Sequence, residues 1–203
     1  MVAVPRVLTI QDMSSIGRCA LTVMIPIISA MRCQAVPLAT AVLSNHLEYP
    51  HYEFVDLSAH MRDFMNCWDK NEIDFHAIVS GFLASPEQIH LVEEAINRFA
   101  NNGQMVIMTS VPSKTHAVIA VYDGPTNFLK TYSIPLVPVK ATGTGDIFTA
   151  VLSGAVMKGY SPYDAAELAM NFTTNAIQAT LDTVQSLKHG VAFELVLPEL
   201  TQL

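Results

Sequence analysis

The sequence predicts an α/β fold built on a mainly parallel sheet covered by helices on both faces, and three observations carry that prediction. Short β-rich runs alternate with runs of helical spacing through most of the chain. Half of the composition is hydrophobic (51%) and only 14% is charged, with a mean hydropathy of +0.34, which is enough apolar material for a large core and too much for a disordered chain. A glycine-rich turn, Gly143-Thr-Gly-Asp146, joins an apolar run ending at Val139 to a helical run that follows at once, the strand–loop–helix order in which open α/β sheets hold ligands.

Arg6 to Ile10 reads as the first strand and Gln11 to Gly17 as a polar loop. Ala20 to Met31 has helical spacing, with Leu21, Met24, Ile25 and Ile28 on one face. Gln34 to Leu43 is a second strand interrupted by Pro37, followed by the polar cluster Ser44-Asn-His-Leu-Glu-Tyr49. Val55 to Trp68 reads as a helix, and Ala77 to Phe82 as a buried strand. Ser85-Pro-Glu-Gln88 is a capping box with Pro at the first helical position, and Ile89, Val92, Ile96 and Phe99 follow at 3-4-3 spacing. Asn101-Asn-Gly103 would end that helix. Met105 to Met108 is the next strand, and Thr109 to Ser113 a turn. Ala117 to Tyr122 and Phe128 to Tyr132 flank Asp123-Gly-Pro-Thr-Asn127 as an antiparallel hairpin placed to cover the glycine-rich loop. The helix from Asp146 stops at Gly159. Ser161-Pro-Tyr-Asp164 caps a last long helix to about Thr180, whose Ala165, Ala166, Ala169 and Ala176 permit close packing.

Several function classes fall away on bulk properties. Net charge is −7 with no basic run, so nucleic acid is not an expected partner. No apolar run approaches the roughly eighteen residues of a membrane span, and no targeting signal opens the chain, so a cytoplasmic location without membrane contact is expected. Cys19, Cys33 and Cys67 share no metal-type spacing and read as reduced thiols, and the histidines form no ligand pattern, so no metal site built from protein side chains is expected. The 203 residues suit a single domain, 1–203.

Chemistry concentrates at the glycine-rich turn. Gly143 and Gly145 let successive N–H groups point into one spot at the positive end of a helix dipole, and Asp146 lies in the first turn facing it. Donors that hold an anion beside a carboxylate that accepts a proton suffice to move a phosphoryl group onto a hydroxyl. Asp12, Ser14 and Ser15 sit where a ligand would lie at the end of the first strand, although serines there also serve as helix caps. Asn45 and His46 could hydrogen-bond a polar ring or simply shape a loop.

Taken in order, Ile10-Gln-Asp-Met-Ser-Ser-Ile-Gly-Arg18, Ala41-Val-Leu-Ser-Asn-His46, Ser80-Gly-Phe82, Thr109-Ser110 and Gly143-Thr-Gly-Asp146 resemble the pyridoxal kinases of the ribokinase-like superfamily. Gly-Thr-Gly-Asp marks the superfamily, and its combination with Ser-Asn-His points to the vitamin B6 branch. The resemblance implies a three-layer α/β/α sandwich and an ATP-dependent phosphorylation of the 5′-hydroxyl of pyridoxal, pyridoxamine or pyridoxine. It casts Asp146 as base and Gly143, Thr144 and Gly145 as the anion hole. The ring would meet Asp12, Ser14, Ser44, Asn45, His46 and Phe82. Thr109, Ser110, Val137, Thr142, Gly143 and Gly145 would meet the nucleotide, magnesium would bridge its phosphates, and the protein would be a homodimer.

Three departures from the family pattern stand out. Asp12 replaces a ring-contacting serine of some members, and Leu47 replaces a threonine that often follows Ser-Asn-His. Between about residues 105 and 109 the family carries a further segment, with an Asp-Pro-Val-x-Gly-Asp loop and an Asn-x-x-Glu motif that help place magnesium and phosphates. Here Met105-Val-Ile-Met108 runs straight into Thr109 as if two strands were fused. Either the protein is truly shortened or the sequence omits an internal stretch. Two other functions therefore stay open: a hydroxymethylpyrimidine kinase of thiamine synthesis, and a shortened, non-catalytic binder of vitamer or nucleotide.

Overall fold

The computed structural model describes residues 4–100, 105–111, 116–123, 127–135, 141–184 and 187–203. Two sheets organise the described chain. The first has the order β3-β2-β1-β4, with β1 (Arg6–Ser14), β2 (Gln34–Leu43), β3 (Phe54–Asp56) and β4 (Ala77–Ser80). β1 lies between β2 and β4, parallel to both, and β3 adds antiparallel at the edge through Ala41–Leu43. The second sheet, β5-β6-β7, is antiparallel throughout: β5 (Met105–Val111), β6 (His116–Asp123) and β7 (Phe128–Pro135). The predicted hairpin is thus present. Its Tyr132 packs against Tyr163, ring centroids 5.5 Å apart.

Period-two alternation on the first sheet sorts its side chains into two cores. Val7, Ala35, Ala77 and Val79 face one side, under α1 (Leu21–Ala30), α4 (Thr144–Met157) and α5 (Pro162–Val184). Leu8, Ile10, Val36, Leu38 and Ile78 face the other, under α2 (Ser58–Lys70) and α3 (Pro86–Phe99). The first core closes on α5, whose Ala165, Ala166, Ala169 and Ala176 are fully buried, and on the chain end, with a short turn at Phe193–Leu195 and α6 (Pro198–Thr201). The second contains a three-ring cluster of Trp68, Phe75 and Phe99 at 5.2–6.1 Å, all edge-on. This is the three-layer arrangement expected from the alternating pattern.

Several boundaries differ from expectation for local reasons. β1 continues through the stretch read as a polar loop, because Met13 and Ser14 pair with Val42 and Leu43 after a register shift between Gln11 and Met13. β2 is not interrupted at Pro37. β3 reaches only Ala41–Leu43, so at Pro37 one edge of β2 has no partner strand among the described residues and a missing N–H is tolerated. Val55 and Asp56 belong to β3 and not to a helix, which starts at Ser58. Gly81 and Phe82 fall beyond the end of β4. Thr109, Ser110 and Val111 continue β5 instead of turning, with a register shift against β6 between Met108 and Val111. The stretch where the sequence looks fused is therefore a single irregular strand. On α3 the buried face is Gln88, Leu91, Val92, Ala95 and Phe99, whereas Ile89 and Ile96 are exposed. The helix ends at Phe99, and the Asn101–Gly103 stop lies outside the described residues.

Candidate functional site

The strand-end loop Ser15–Ala20 gathers three distant parts of the chain. Ser15 and Ile16 donate their N–H groups to the carbonyls of Leu43 and Ser44, and Ile16 O accepts from His46 N. Arg18 N donates to His189 O, and the Arg18 guanidinium pairs with Glu194 at 2.8 Å. The backbone of Arg18 is so closely approached that only glycine fits opposite. A Cβ on Gly143 would collide with the Arg18 carbonyl oxygen, and one on Gly190 would lie 2.7 Å from it. Gly143 also has φ +85°, so it is fixed by both conformation and space.

Gly143 caps α4 without a side chain, leaving the first N–H groups of that helix without intrahelical partners, as at any helix start. Thr144 donates its hydroxyl to Ala141 O at 3.2 Å, and Gly145 is exposed. Asp146 Oδ2 accepts from Ala20 N at 2.7 Å. Since Ala20 is the residue preceding α1, the carboxylate sits between the positive ends of two helices. Burial nevertheless raises the Asp146 carboxyl above its usual range; the Ala20 N–H opposes that rise and the charge of Asp12 adds to it. Asp12 is likewise raised, mainly by burial, with the Ser14 hydroxyl donating to its Oδ2 at 3.2 Å and opposing the rise. Burial also pushes the Cys19 thiol up to about 11, aided by the charges of Asp12, Asp146 and Glu48 and opposed by Ser14, so it stays protonated and is no nucleophile at neutral pH.

These groups share one cavity of about 440 Å³. Of the residues singled out from the sequence, Asp12, Ser14, His46, Phe82, Thr142, Gly143 and Asp146 line it. Ser44 and Asn45 do not. Ser44 Oγ donates to Asn45 Oδ1 and accepts from Glu53 N, and Asn45 Nδ2 donates to the carbonyls of His46 and His51, so both side chains build their own loop. His46 lines the cavity but is also tied down. Its Nε2 donates to Lys188 O at 3.1 Å, and its ring fills the space beside Gly17 that a side chain there would need. Nearby, Tyr49 hydroxyl and His189 Nδ1 are hydrogen-bonded.

Thr144 and Gly145 stand at the helix start without lining the cavity. The side chains of Thr109 and Ser110, and Val137 altogether, lie outside the described residues. None of the described hairpin residues lines the cavity. Sequence reasoning missed Gln11, Cys19, Thr40, Glu48, Asp56 and Gln88, all of which do. For Gln11 the signal was available, since it flanks Asp12, already singled out. No group of three His, Cys, Asp or Glu residues able to hold a metal ion occurs among the described residues. No described helix is long and apolar enough to cross a membrane.

Comparison with known proteins adds fold and class. No family model matches the chain, and none of the curated proteins matches it. Solved structures do. A candidate phosphomethylpyrimidine kinase from Bacteroides thetaiotaomicron, a crystal form of which contains pyridoxal, superposes with a TM-score of 0.82 at 29% identity, over 97% of this chain and 94% of that one. Pyridoxal kinase from Lactobacillus plantarum gives 0.74 at 17% identity, covering 98% of both chains. Pyridoxal kinase from Leishmania donovani, in complex with ADP and ginkgotoxin, gives 0.72 at 17% identity over 96% and 95%. The chain has the ribokinase-like fold, and these neighbours are kinases.

Proposed function

We propose that this protein is an ATP-dependent kinase that phosphorylates the hydroxymethyl group of a small aromatic ring, with the 5′-hydroxyl of a B6 vitamer as acceptor. The observation that carries this reading is Asp146. It is a largely enclosed carboxylate in the first turn of α4, oriented by the Ala20 N–H, at the wall of a cavity large enough for one ring. In this reading the ring lies between Asp12, His46 and Phe82. Asp146 takes the proton of the hydroxyl as its oxygen attacks the γ-phosphorus, the bond to the bridging oxygen breaks, and ADP leaves. The N–H groups of Gly143, Thr144 and Gly145 meet the charge that grows on the transferring phosphoryl. Thr142, Thr109, Ser110 and Val137 are proposed for the nucleotide side. Magnesium enters with the nucleotide phosphates as part of the substrate and neutralises their charge. A cytoplasmic homodimer completes the reading.

The pyrimidine alternative keeps one specific support, the neighbour at 29% identity described as a candidate phosphomethylpyrimidine kinase. One experiment separates the readings. Purified protein with Mg·ATP is offered pyridoxal, pyridoxamine, pyridoxine and hydroxymethylpyrimidine, and the phosphorylated products are measured beside Asp146→Asn. The expected result is highest kcat/KM for a B6 vitamer, with kcat falling about 10²- to 10⁴-fold in Asp146→Asn while ring binding persists. Preference for the pyrimidine would move the acceptor assignment. Ring binding without turnover in the unmodified protein would favour the non-catalytic relative.

A further inference from the structure

The loop between β2 and β3 forms one wall of the cavity, with Leu47, Glu48 and Tyr52 lining it and Phe54 following from the strand the loop leads into. Leu47 and Tyr52 are 55% and 46% exposed, so packing alone does not hold this wall in place. The base of the loop is secured. Ser44 N donates to Glu53 O, Glu53 N donates to Ser44 Oγ, and His46 donates from N to Ile16 O and from Nε2 to Lys188 O. Across residues 47–52, one hydrogen bond leaves the loop among the described residues, that between the Tyr49 hydroxyl and His189 Nδ1. The Tyr49 ring is seated for it, edge-on to His46 at 4.7 Å between centroids and with the Lys188 ammonium 5.4 Å from its own centroid.

What stands at the other end of that bond gives it a function. His189 belongs to the segment packed on Arg18. Its carbonyl accepts from Arg18 N at 3.0 Å, and Gly190 and Gly143 both close on the Arg18 carbonyl oxygen. Gly143 caps α4, whose first turn carries Asp146. The Tyr49–His189 bond therefore ties the loop wall to the backbone that sets the position of the carboxylate. A reacting hydroxyl must lie within hydrogen-bond reach of its base, so the separation between the wall that holds the ring and Asp146 has to be fixed. We propose that Tyr49 is a positioning residue for the transfer: its clasp on His189 holds the 47–52 wall at a set distance from Asp146, so that a bound ring alcohol presents its hydroxyl to that carboxylate. The inference rests on the reading of this cavity as the ring site.

The test compares the unmodified protein with Tyr49→Phe, which keeps the ring and removes only the hydroxyl, with His189→Leu, and with the double variant. Kinetics with pyridoxine and Mg·ATP are read beside hydrogen exchange of the free proteins. Each single variant should lower kcat/KM for pyridoxine at least about tenfold and leave KM for ATP within about twofold. The double variant should be no worse than either single one, since both break the same bond. In the free protein, the amides of residues 46–49 should exchange faster in Tyr49→Phe while those of β1 stay as slow as before. Unchanged kinetics or unchanged exchange would show that the loop holds itself. Losses that add in the double variant would mean that the two side chains act separately, and equal rises in both KM values would make the bond a general structural one. Each of these overturns the clasp and leaves the kinase reading standing. Should the unmodified protein turn over no ring compound, calorimetric titration with pyridoxine takes the place of the kinetics. Binding that weakens in both single variants upholds the clasp while the transfer reading falls, and no binding by the unmodified protein overturns both.

Discussion

Asp146 is held under opposed influences. Burial and the neighbouring charge of Asp12 disfavour its ionised form, and the Ala20 N–H favours it. The net direction is upward, and the same holds for Asp12. For stability the sign follows directly. Below the ordinary 3.8 both folded and unfolded states carry protonated carboxyls and no charge is buried. As pH rises through the elevated folded value, the folded state must hold buried charge and stability is lost. For the proposed role of Asp146 as base the sign is the reverse, since a base works only when ionised. The acid limb of kcat should therefore sit above the usual carboxylate range, and Asp12→Asn should move it to lower pH by removing the like charge. A pH–rate profile of both proteins checks this, and an acid limb that stays in place in Asp12→Asn would show that the titrating group is not coupled to Asp12. The Arg18 carbonyl shows how little freedom surrounds this carboxylate. Gly143 and Gly190, far apart in sequence, both pack against that one oxygen and so fix where α4 begins.

Elements position the rest of the site through contacts that local pattern does not reveal. The glycine turn, Asp12 and His46 were legible because each sits in a polar run directly after a β-rich one, and that break is local. Gln88 was legible only as half of a capping box. The Ser85 half holds, with Ser85 Oγ accepting from Gln88 N at 3.2 Å. The Gln88 side chain, however, reaches past Ser85, accepting from Ala84 N at 2.9 Å and donating to Ser58 Oγ at 3.0 Å. It thereby ties the loop bearing Phe82 to the start of α2, a contact thirty residues away. The same non-local pairing made Val55 and Asp56 a strand, and tertiary packing rotated the buried face of α3 onto Ala95 and Gln88 in place of Ile89 and Ile96. Gln88→Ala would leave the Ala84 N–H and the Ser58 hydroxyl short of partners, at about 1–3 kcal/mol. We expect a lower melting temperature and a KM for the ring compound raised well beyond that for ATP, with Gln88→Glu restoring much of both. Equal effects on the two KM values would show that the loop does not serve the ring side.

At the scale of the whole molecule, the division into two sheets bears on the acidic segment that the family resemblance led us to expect between about residues 105 and 109. In the first sheet, β4 pairs with β1 on one side and with no strand on the other among the described residues. The next strand in sequence, β5, joins the antiparallel sheet instead. A four-residue parallel strand with an edge unpaired among the described residues is unusual, because parallel sheets are normally covered on every side and an unpaired edge invites association. Further strands inserted between β4 and β5 would cover that edge. Hydrogen exchange on the intact protein distinguishes the two cases. With the chain as it stands, amides on the outer edge of β4 should exchange much faster than those of β1, which is paired on both sides, and the intact mass should be 22.2 kDa. Outer β4 amides as slow as those of β1, together with a mass several kilodaltons higher, would mean that additional strands close the sheet. In that case the protein would carry acidic residues for nucleotide phosphates beyond those around the present cavity. A mass of 22.2 kDa with fast β4 exchange would instead leave the proposed phosphoryl transfer to Asp146 and the start of α4, and Mg·ATP should then bind more weakly than the ring.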